Sequence, residues 1–218
     1  MDSRNLLFHL CVKHAFDWQK VFEDLSIHPF YENYLEADVQ ASVDFMKAKG
    51  FNWITFIDID YPERAKQIYM PDFVMFYEGD IKVLETIMSE QRKHYVTLCG
   101  INVFNIPSDR LITVDDKCVI HIGNDLLKIW FEPEDCLNDK SLFRVWKFAG
   151  CIGDTVLFTD RIRKNRLYME KIADIVLQNN GQADVFVIPG GDRSVNNKLI
   201  KSGAILCDTA EDILNELD

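Results

Sequence analysis

Four cations stand within six residues in the stretch from Arg161 to Arg166 of an acidic chain. This stretch follows Thr155–Phe158, an apolar run of strand length, and precedes a pattern typical of a helix. Cations at the carboxyl end of a strand are well placed to hold the phosphates of a nucleic acid. A solvated helix start is the alternative, although cations there oppose the helix dipole. The candidate binding residues of this stretch are Arg161, Arg163, Lys164 and Arg166.

A Pro-Gly-Gly turn follows a second apolar run in the segment DVFVIPGGDRSVNNKLIKSGA, residues 184–204. In an open α/β sheet, ligands bind beyond the carboxyl ends of strands, where such a turn would lie. Glycine allows close backbone approach to a ligand, and Ser194 or Asn196 can cap the next helix. The alternative is that the two glycines only form the corner. The candidate phosphate-loop residues are Gly100, Pro189, Gly190, Gly191, Ser194 and Asn197.

The stretch Tyr95–Gly100 is similar to the first strand and turn of dinucleotide-binding folds. Gly100 is its only glycine, so the Gly-x-Gly-x-x-Gly fingerprint is absent and conventional NAD binding is not expected. Carboxylates and histidines are scattered without the spacing of a metal site or an acid–base pair, and no nucleophile stands in an elbow pattern. We therefore expect no cofactor, no metal and no enzymatic activity.

Composition narrows the class of protein. The 218 residues are 48% hydrophobic with a net charge of −11, which is typical of a globular chain and argues against a broad coat of nucleic acid. No apolar run approaches the roughly 20 residues of a membrane span. The six cysteines include no C-x-x-C pair, as expected of reduced thiols. Together with an N-terminus that lacks a cleavage site, these features predict a cytoplasmic protein without membrane association.

Hydrophobic spacing divides the chain into three parts. Residues 1–50 carry helical patterns and are predicted to form a small helical module, of the SAM or helix-hairpin kind. Residues 51–90 are predicted to be a connector or an extension of the sheet, and residues 91–218 an α/β domain. In this last part, short apolar runs alternate with helical stretches, as in a parallel sheet built from βαβ units. Strands are predicted at 51–59, 73–77, 95–98, 118–122, 127–131, 155–158, 185–188 and 204–207.

Two stretches resemble the DNA-processing protein A family, also called Smf. The first, IDIDYPERAKQIYMPDFVMFYEGDI (57–81), is similar to the family's connector, in which Tyr-Pro leads through a short helix to an apolar strand ending in glycine. The second, DVFVIPGGDRSVNNKLIKSGAILCDTAEDIL (184–214), is similar to its closing segment. The matching residues there are Pro189, Gly190, Asn197, Leu199, Ile200, Gly203, Ala204, Ala210, Glu211, Asp212 and Ile213. The resemblance implies a reduced Rossmann-like α/β fold with a mostly parallel sheet, helices on both faces and the helical module before it.

The chain departs from the family where a nucleic-acid pocket would be expected. The family has Gly-Ser-Arg after the first strand of its Rossmann domain, whereas here Gly100 is followed by Ile101 and Asn102. Before the strand at 155, the family's Arg-Asn-Arg run is reduced to LFRVWKFAGCIGD. Either single-strand binding persists on a relocated basic surface, or the chain is a degenerate paralogue with a structural role. The relocated surface would comprise Arg144, Lys147, Arg161, Arg163, Lys164, Arg166 and Lys198.

By this resemblance, the chain is predicted to bind single-stranded DNA in DNA uptake and recombination during natural transformation. A homodimer and a recombinase partner of the RecA type are implied in the same way. A second hypothesis is a nucleotide-binding Rossmann-like sensor that uses the Pro-Gly-Gly turn for phosphate, although residues 192–195 lack the Gly-Thr-x-x-Glu of a phosphoribohydrolase. A scaffold that only oligomerises is the third.

Overall fold

The structure is a computed structural model. It describes residues 2–27, 34–67, 70–88, 95–133, 137, 139–159, 170–172, 174, 177, 184–190 and 194–214.

Within these residues, nine strands form a single sheet. In chain order the strands are β1 (Asn52–Thr55), β2 (Val74–Gly79), β3 (Val96–Cys99), β4 (Leu111–Val114), β5 (Ile120–Ile122), β6 (Leu127–Trp130), β7 (Thr155–Phe158), β8 (Asp184–Val187) and β9 (Ile205–Leu206). Their order across the sheet is β1-β2-β6-β5-β4-β3-β7-β8-β9. Every pair from β4 through β3, β7 and β8 to β9 is parallel. The pairs from β1 to β4 are antiparallel.

Helices pack against this sheet. They are α1 (Ser3–Lys13), α2 (Trp18–Ile27), α3 (Glu36–Ala48), α4 (Glu63–Lys66), α5 (Val83–Met88), α6 (Asp139–Ile152), α7 (Val195–Lys201) and α8 (Ala210–Leu214). The first begins because the Asp2 carboxylate accepts a hydrogen bond from the backbone N–H of Arg4, a typical N-cap. Its apolar residues at helical spacing, such as Leu6, Leu7 and Leu10, are buried against α3 and the sheet.

Alternation along the strands gives the sheet two covered faces. On β1, Trp53 packs with the N-terminal helices, whereas its neighbour Ile54 packs with α5 and α6 on the opposite face. In the parallel half, Val156 and Phe158 of β7 pack with α7, and Leu157 between them packs with Ile213 of α8. Successive residues of a strand point to opposite faces, so both faces need helical cover.

The α/β class, the helical N-terminal region and the helices on both faces are confirmed. The sheet is mixed, because its Rossmann-like half is parallel and the other half is antiparallel. Strand β4 was not predicted. Only Ile112 of its four residues is buried, so its apolar pattern is weak. Helix α6 was not predicted either, although its buried residues recur at helical spacing (Val145, Phe148, Ala149, Ile152).

The described helices are all too short or too polar to traverse a lipid bilayer.

Candidate nucleic-acid interface

Three parallel strands end at the same edge of the sheet. Cys99 of β3 pairs with Phe158 of β7, and Phe158 pairs with Val187 of β8. The residues that follow these strands therefore lie side by side, in the position where open α/β sheets bind ligands. Gly100, Thr159 and the turn beginning at Ile188 form this edge, which we call the carboxyl edge.

Gly100 and Thr159 lock the first two loops of the carboxyl edge together. The hydroxyl of Thr159 accepts a hydrogen bond of 2.8 Å from the backbone N–H of Ile101. Gly100 has φ +135°, and a Cβ at this position would lie 2.0 Å from the same hydroxyl oxygen. Only glycine fits here, because a side chain would be strained in φ and would also overlap Thr159. The glycine is therefore explained by packing between two loops.

Asn102 holds the loop after β3 in a closed form. Its side-chain oxygen accepts a hydrogen bond of 2.9 Å from the backbone N–H of Ile106, and its amide donates one of 2.8 Å to the carbonyl of Ile106. Residues 100–107 carry no cation. In this chain the loop that bears an arginine in the DNA-processing protein A pattern is closed by Asn102 and is hydrogen-bonded to Thr159.

The Pro-Gly-Gly turn is held from the helix that follows it. The side chain of Asn197 accepts from the N–H of Gly190 and donates to its carbonyl, both at 3.2 Å. Asn196 donates to the carbonyl of Ile188 at 2.8 Å. Ser194 caps α7 as predicted, because its hydroxyl accepts from the N–H of Asn196. Pro189 and Gly190 thus lie at the carboxyl edge in a fixed conformation, while Gly191 is outside the described residues.

The four cations at 161–166 lie outside the described residues, which in this part of the chain end at Thr159. Lys198, on α7, is described. Its ammonium forms an ion pair of 2.8 Å with Glu170, and its side chain is 60% exposed. The charge of Lys198 is therefore partly compensated at the protein surface.

Arg144 and Lys147 are inside the fold. Both belong to α6, and their side chains are only 12% and 2% exposed. Arg144 donates from Nε to Asp72 at 2.7 Å, and Lys147 donates to the carbonyl of Met70 while its ammonium lies 3.7 Å from Asp72. Their charges are compensated within the protein. Lys147 stands among the buried positions of an amphipathic helix, and this spacing was the signal in the sequence that could have indicated burial.

Glu132 completes this group, which we call the ion cluster: Asp72, Glu132, Arg144 and Lys147. Its Oε1 lies 3.8 Å from Nη1 of Arg144. Burial raises the pKa of Glu132, although Ser141 and Arg144 oppose the rise. Burial lowers the pKa of Lys147 against the attraction of Asp72. Burial also disfavours the charge on Arg144, but Asp72 and Glu132 outweigh it and raise its pKa.

The ion cluster lines a cavity of about 420 Å³ between the N-terminal helices and α6. Residues of the α1–α2 turn, including Phe16, Asp17 and Trp18, form one wall, and Phe143 of α6 contributes to the other. Lys140 pairs with Asp17 at 2.9 Å across the rim. Sequence reasoning missed this site, because its acidic members stand far along the chain from its N-terminal wall and no local motif joins them.

Taken together, the parallel strands, their carboxyl-edge turns and the N-terminal helices define a Rossmann-like α/β protein with a helical N-terminal region. The same fold is found in DNA processing protein A (DprA) from Streptococcus pneumoniae, with a TM-score of 0.66 and 15% identity over 100% of this chain and 99% of that one. DprA from Helicobacter pylori, described for its single-stranded DNA binding mode, is similar with a TM-score of 0.54 and 14% identity, covering 77% of this chain and 96% of that one.

No protein-family model matches the sequence, and no curated protein does either. The predicted resemblance is confirmed at the level of the fold: the chain has a DprA-like fold and a sequence that has diverged far from both solved structures.

Proposed function

We propose that this protein binds single-stranded DNA at the carboxyl edge of its sheet and has a DprA-like role in DNA processing. The observation that carries the proposal is the DprA-like fold along the whole chain. The H. pylori neighbour is described as a single-stranded DNA-binding protein, which supports nucleic acid as the ligand class.

The carboxyl edge supplies the second support. Strand β7 ends at Phe158, beside the ends of β3 and β8, and the chain reaches Arg161, Arg163, Lys164 and Arg166 a few residues later. Pro189 and Gly190 of the Pro-Gly-Gly turn lie at the same edge, held by Asn197. Concentrated cations are required in a chain of net charge −11, because affinity for phosphates comes from local Lys and Arg rather than overall charge. The basic stretch provides such a concentration.

The rest of the predicted role follows from the family resemblance. We propose that the protein acts without catalysis in the cytoplasm, as a homodimer that works with a recombinase of the RecA type in natural transformation. Sedimentation at micromolar concentration measures the homodimer, and recombinase loading onto single strands coated by this protein measures the partnership. A monomer, or loading that is indifferent to this protein, contradicts these two assignments.

A salt titration of oligonucleotide binding tests the DNA proposal. Replacing Arg161, Arg163, Lys164 and Arg166 by Ala is expected to weaken binding and to reduce the slope of log K against log salt by about 0.7 for each phosphate that is no longer neutralised. The matched control replaces four exposed lysines elsewhere, Lys47, Lys49, Lys82 and Lys201, and removes the same charge. Equal weakening by both variants, or no binding by the wild-type protein at low salt, rejects the proposal and favours a degenerate, structural paralogue.

A further inference from the structure

The ion cluster, whose residues line the cavity, contains hydrogen-bonding atoms that have no partner in the described part of the chain. Among the described residues, Oε1 of Glu132 and Oδ2 of Asp72 are buried and accept no hydrogen bond. Within the described ranges, Arg144 donates a hydrogen bond only from Nε. The N–H groups on its two Nη atoms are therefore not used within this set of residues. A buried polar atom without a partner costs about 1–3 kcal/mol, and such atoms in a folded protein call for an explanation.

Arg144 and Glu132 present complementary groups next to each other. Nη1 of Arg144 is a donor, Oε1 of Glu132 is an acceptor, and 3.8 Å separates them. Asp72 accepts a hydrogen bond from Nε of the guanidinium, and Ser141 hydrogen-bonds to the Glu132 carboxylate. Each group is thus held in place by a neighbouring side chain. A ligand that satisfies both atoms carries a hydrogen-bond acceptor and a hydrogen-bond donor side by side on one edge.

We infer that the cavity binds a nucleobase, with Arg144 donating to a ring nitrogen or carbonyl of the base and Glu132 accepting one of its N–H groups. Each nucleobase has an adjacent acceptor and donor on one edge, and arginine and carboxylate side chains are established partners of base edges. The cavity of about 420 Å³ is within the range of small-ligand sites, and Phe16, Trp18 and Phe143 provide apolar walls. At the rim, the side chain of Lys20 is exposed, at a suitable place for a phosphate attached to the base.

The base has two possible sources, a free nucleotide or a base of a bound DNA strand. The inference does not rest on the proposed carboxyl-edge site, because a free nucleotide offers the same edge. It also places the base site on the N-terminal side of α6, with residues that the carboxyl edge does not use. If no ligand binds at one of the two sites, binding at the other can still be tested.

Titration of the wild-type protein with the four deoxynucleoside monophosphates is the first test. The indole N–H of Trp18, which donates to the carbonyl of Pro71 beside the cavity, gives an NMR signal that reports on the site without any substitution. We expect at least one nucleotide to shift the Trp18 signal in a saturable manner, while the signals of Trp53 and Trp130 stay in place. No saturable shift at millimolar nucleotide, together with no shift by short oligonucleotides of the same bases, overturns the inference.

Glu132→Gln is the decisive variant, because it preserves volume and removes the charged acceptor. Charge-assisted hydrogen bonds are about twice as strong as neutral ones, so affinity for the nucleotide is expected to fall at least about tenfold. Glu78→Gln is the matched control, since Glu78 is exposed and away from the cavity, and it should bind as the wild type does. Unchanged affinity in a folded Glu132→Gln protein overturns the inference, and the wild-type Trp18 titration decides if that variant does not fold.

Comparing monomers with homopolymer strands separates the two sources. If monophosphates bind saturably and a strand binds with little higher affinity, the ligand is a free nucleotide. A strand that shifts Trp18 where monomers do not identifies a base of bound DNA. If the source is bound DNA, the substitutions at 161–166 should lower the affinity for the strand without abolishing the Trp18 shift at saturation. The two sites are then distinguishable.

Discussion

The side chain of Asn197 forms a reciprocal pair with the backbone of Gly190, accepting from its N–H and donating to its carbonyl at 3.2 Å. The side chain of a helix residue thus satisfies a backbone N–H and carbonyl that a neighbouring strand would otherwise pair with. The Pro-Gly-Gly turn is held at the carboxyl edge by α7 and does not depend on a ligand for its shape. The turn is therefore a fixed corner, and the N–H of Gly190 is already used by Asn197.

Asn197→Ala should destabilise the protein. Two hydrogen bonds are removed, each of which contributes about 0.5–1.5 kcal/mol, so the free energy of unfolding is expected to fall by about 1–3 kcal/mol in urea titration. Lys201→Ala, at an exposed position of the same helix, is the control and should change it by less than about 0.5 kcal/mol. Equal stability of the two variants would show that the turn is held by other interactions.

Gly100→Ala should destabilise the protein more than Gly203→Ala does. Both glycines have positive φ, +135° and +103°, so both variants carry backbone strain of about 1–2 kcal/mol. A Cβ at Gly203 meets nothing within 4 Å, whereas one at Gly100 would overlap the Thr159 hydroxyl at 2.0 Å. We expect the Gly100 variant to be destabilised by at least about 1 kcal/mol more in thermal or urea unfolding.

Gly100→Ala should cost less stability in a Thr159→Gly protein, where the overlapping hydroxyl is absent, than in the wild type. Thr159→Gly alone is the reference, because it also loses the hydrogen bond from Ile101. If Gly100→Ala costs the same in both backgrounds, overlap with Thr159 is not the cause.

Arg144→Met should be strongly destabilising. It removes the cation that hydrogen-bonds to the buried carboxylate of Asp72, and breaking one partner of a buried pair costs about 3–5 kcal/mol. Adding Asp72→Asn should restore part of the stability, since the uncompensated charge is then gone. Lys66→Met, in the exposed pair with Glu63, should cost less than about 1 kcal/mol. Similar destabilisation by Arg144→Met and Lys66→Met in urea unfolding would contradict the buried pairing.

His121 should titrate above its ordinary pKa of 6.5. Its ring is bonded to Asp115 at 3.1 Å and Asp125 at 2.6 Å, and although burial lowers the pKa, these carboxylates outweigh it. The resulting stabilisation is fully present below pH 6.5 and is lost as the pH rises through the folded-state pKa. His9, whose pKa is lowered by burial and by nearby Lys13, should titrate below 6.5 and is an internal comparison.

Imidazole signals followed by NMR against pH measure both histidines in one sample. Asp115→Asn should move the His121 pKa downwards and leave His9 unchanged. A His121 pKa at or below that of His9 would mean that the carboxylates do not pair with the ring.

Local patterns were enough for much of the fold. Strands β7 and β8 were predicted within a residue, because each is a short, continuous apolar run that is buried on both faces. Ser194 was predicted as a cap because a hydroxyl before a helical pattern satisfies a free N–H. Strand β4 escaped prediction because it has one buried residue and is held by its neighbours β3 and β5 rather than by its own pattern.

Local sequence patterns could not predict which charged side chains are buried and paired. Arg144 and Lys147 were grouped with the basic surface, since a sequence shows that a residue is charged but not what faces it. Asp72, 72 residues before Arg144, compensates both cations inside the fold. Burial of a cation is permitted only by such a partner, and the partner is chosen by tertiary packing.

By itself, the sequence determined the α/β class, the helical N-terminal region, the carboxyl-edge turns and the likeness to DprA, because these depend on periodicity and on glycine, proline and cap residues at short spacing. Only the tertiary structure decided that Gly100 packs against Thr159, that Asn197 holds Gly190, and that Arg144 and Glu132 meet at a cavity. Those relationships join residues from separate elements, and long-range contacts of this kind form only when packing brings the elements together.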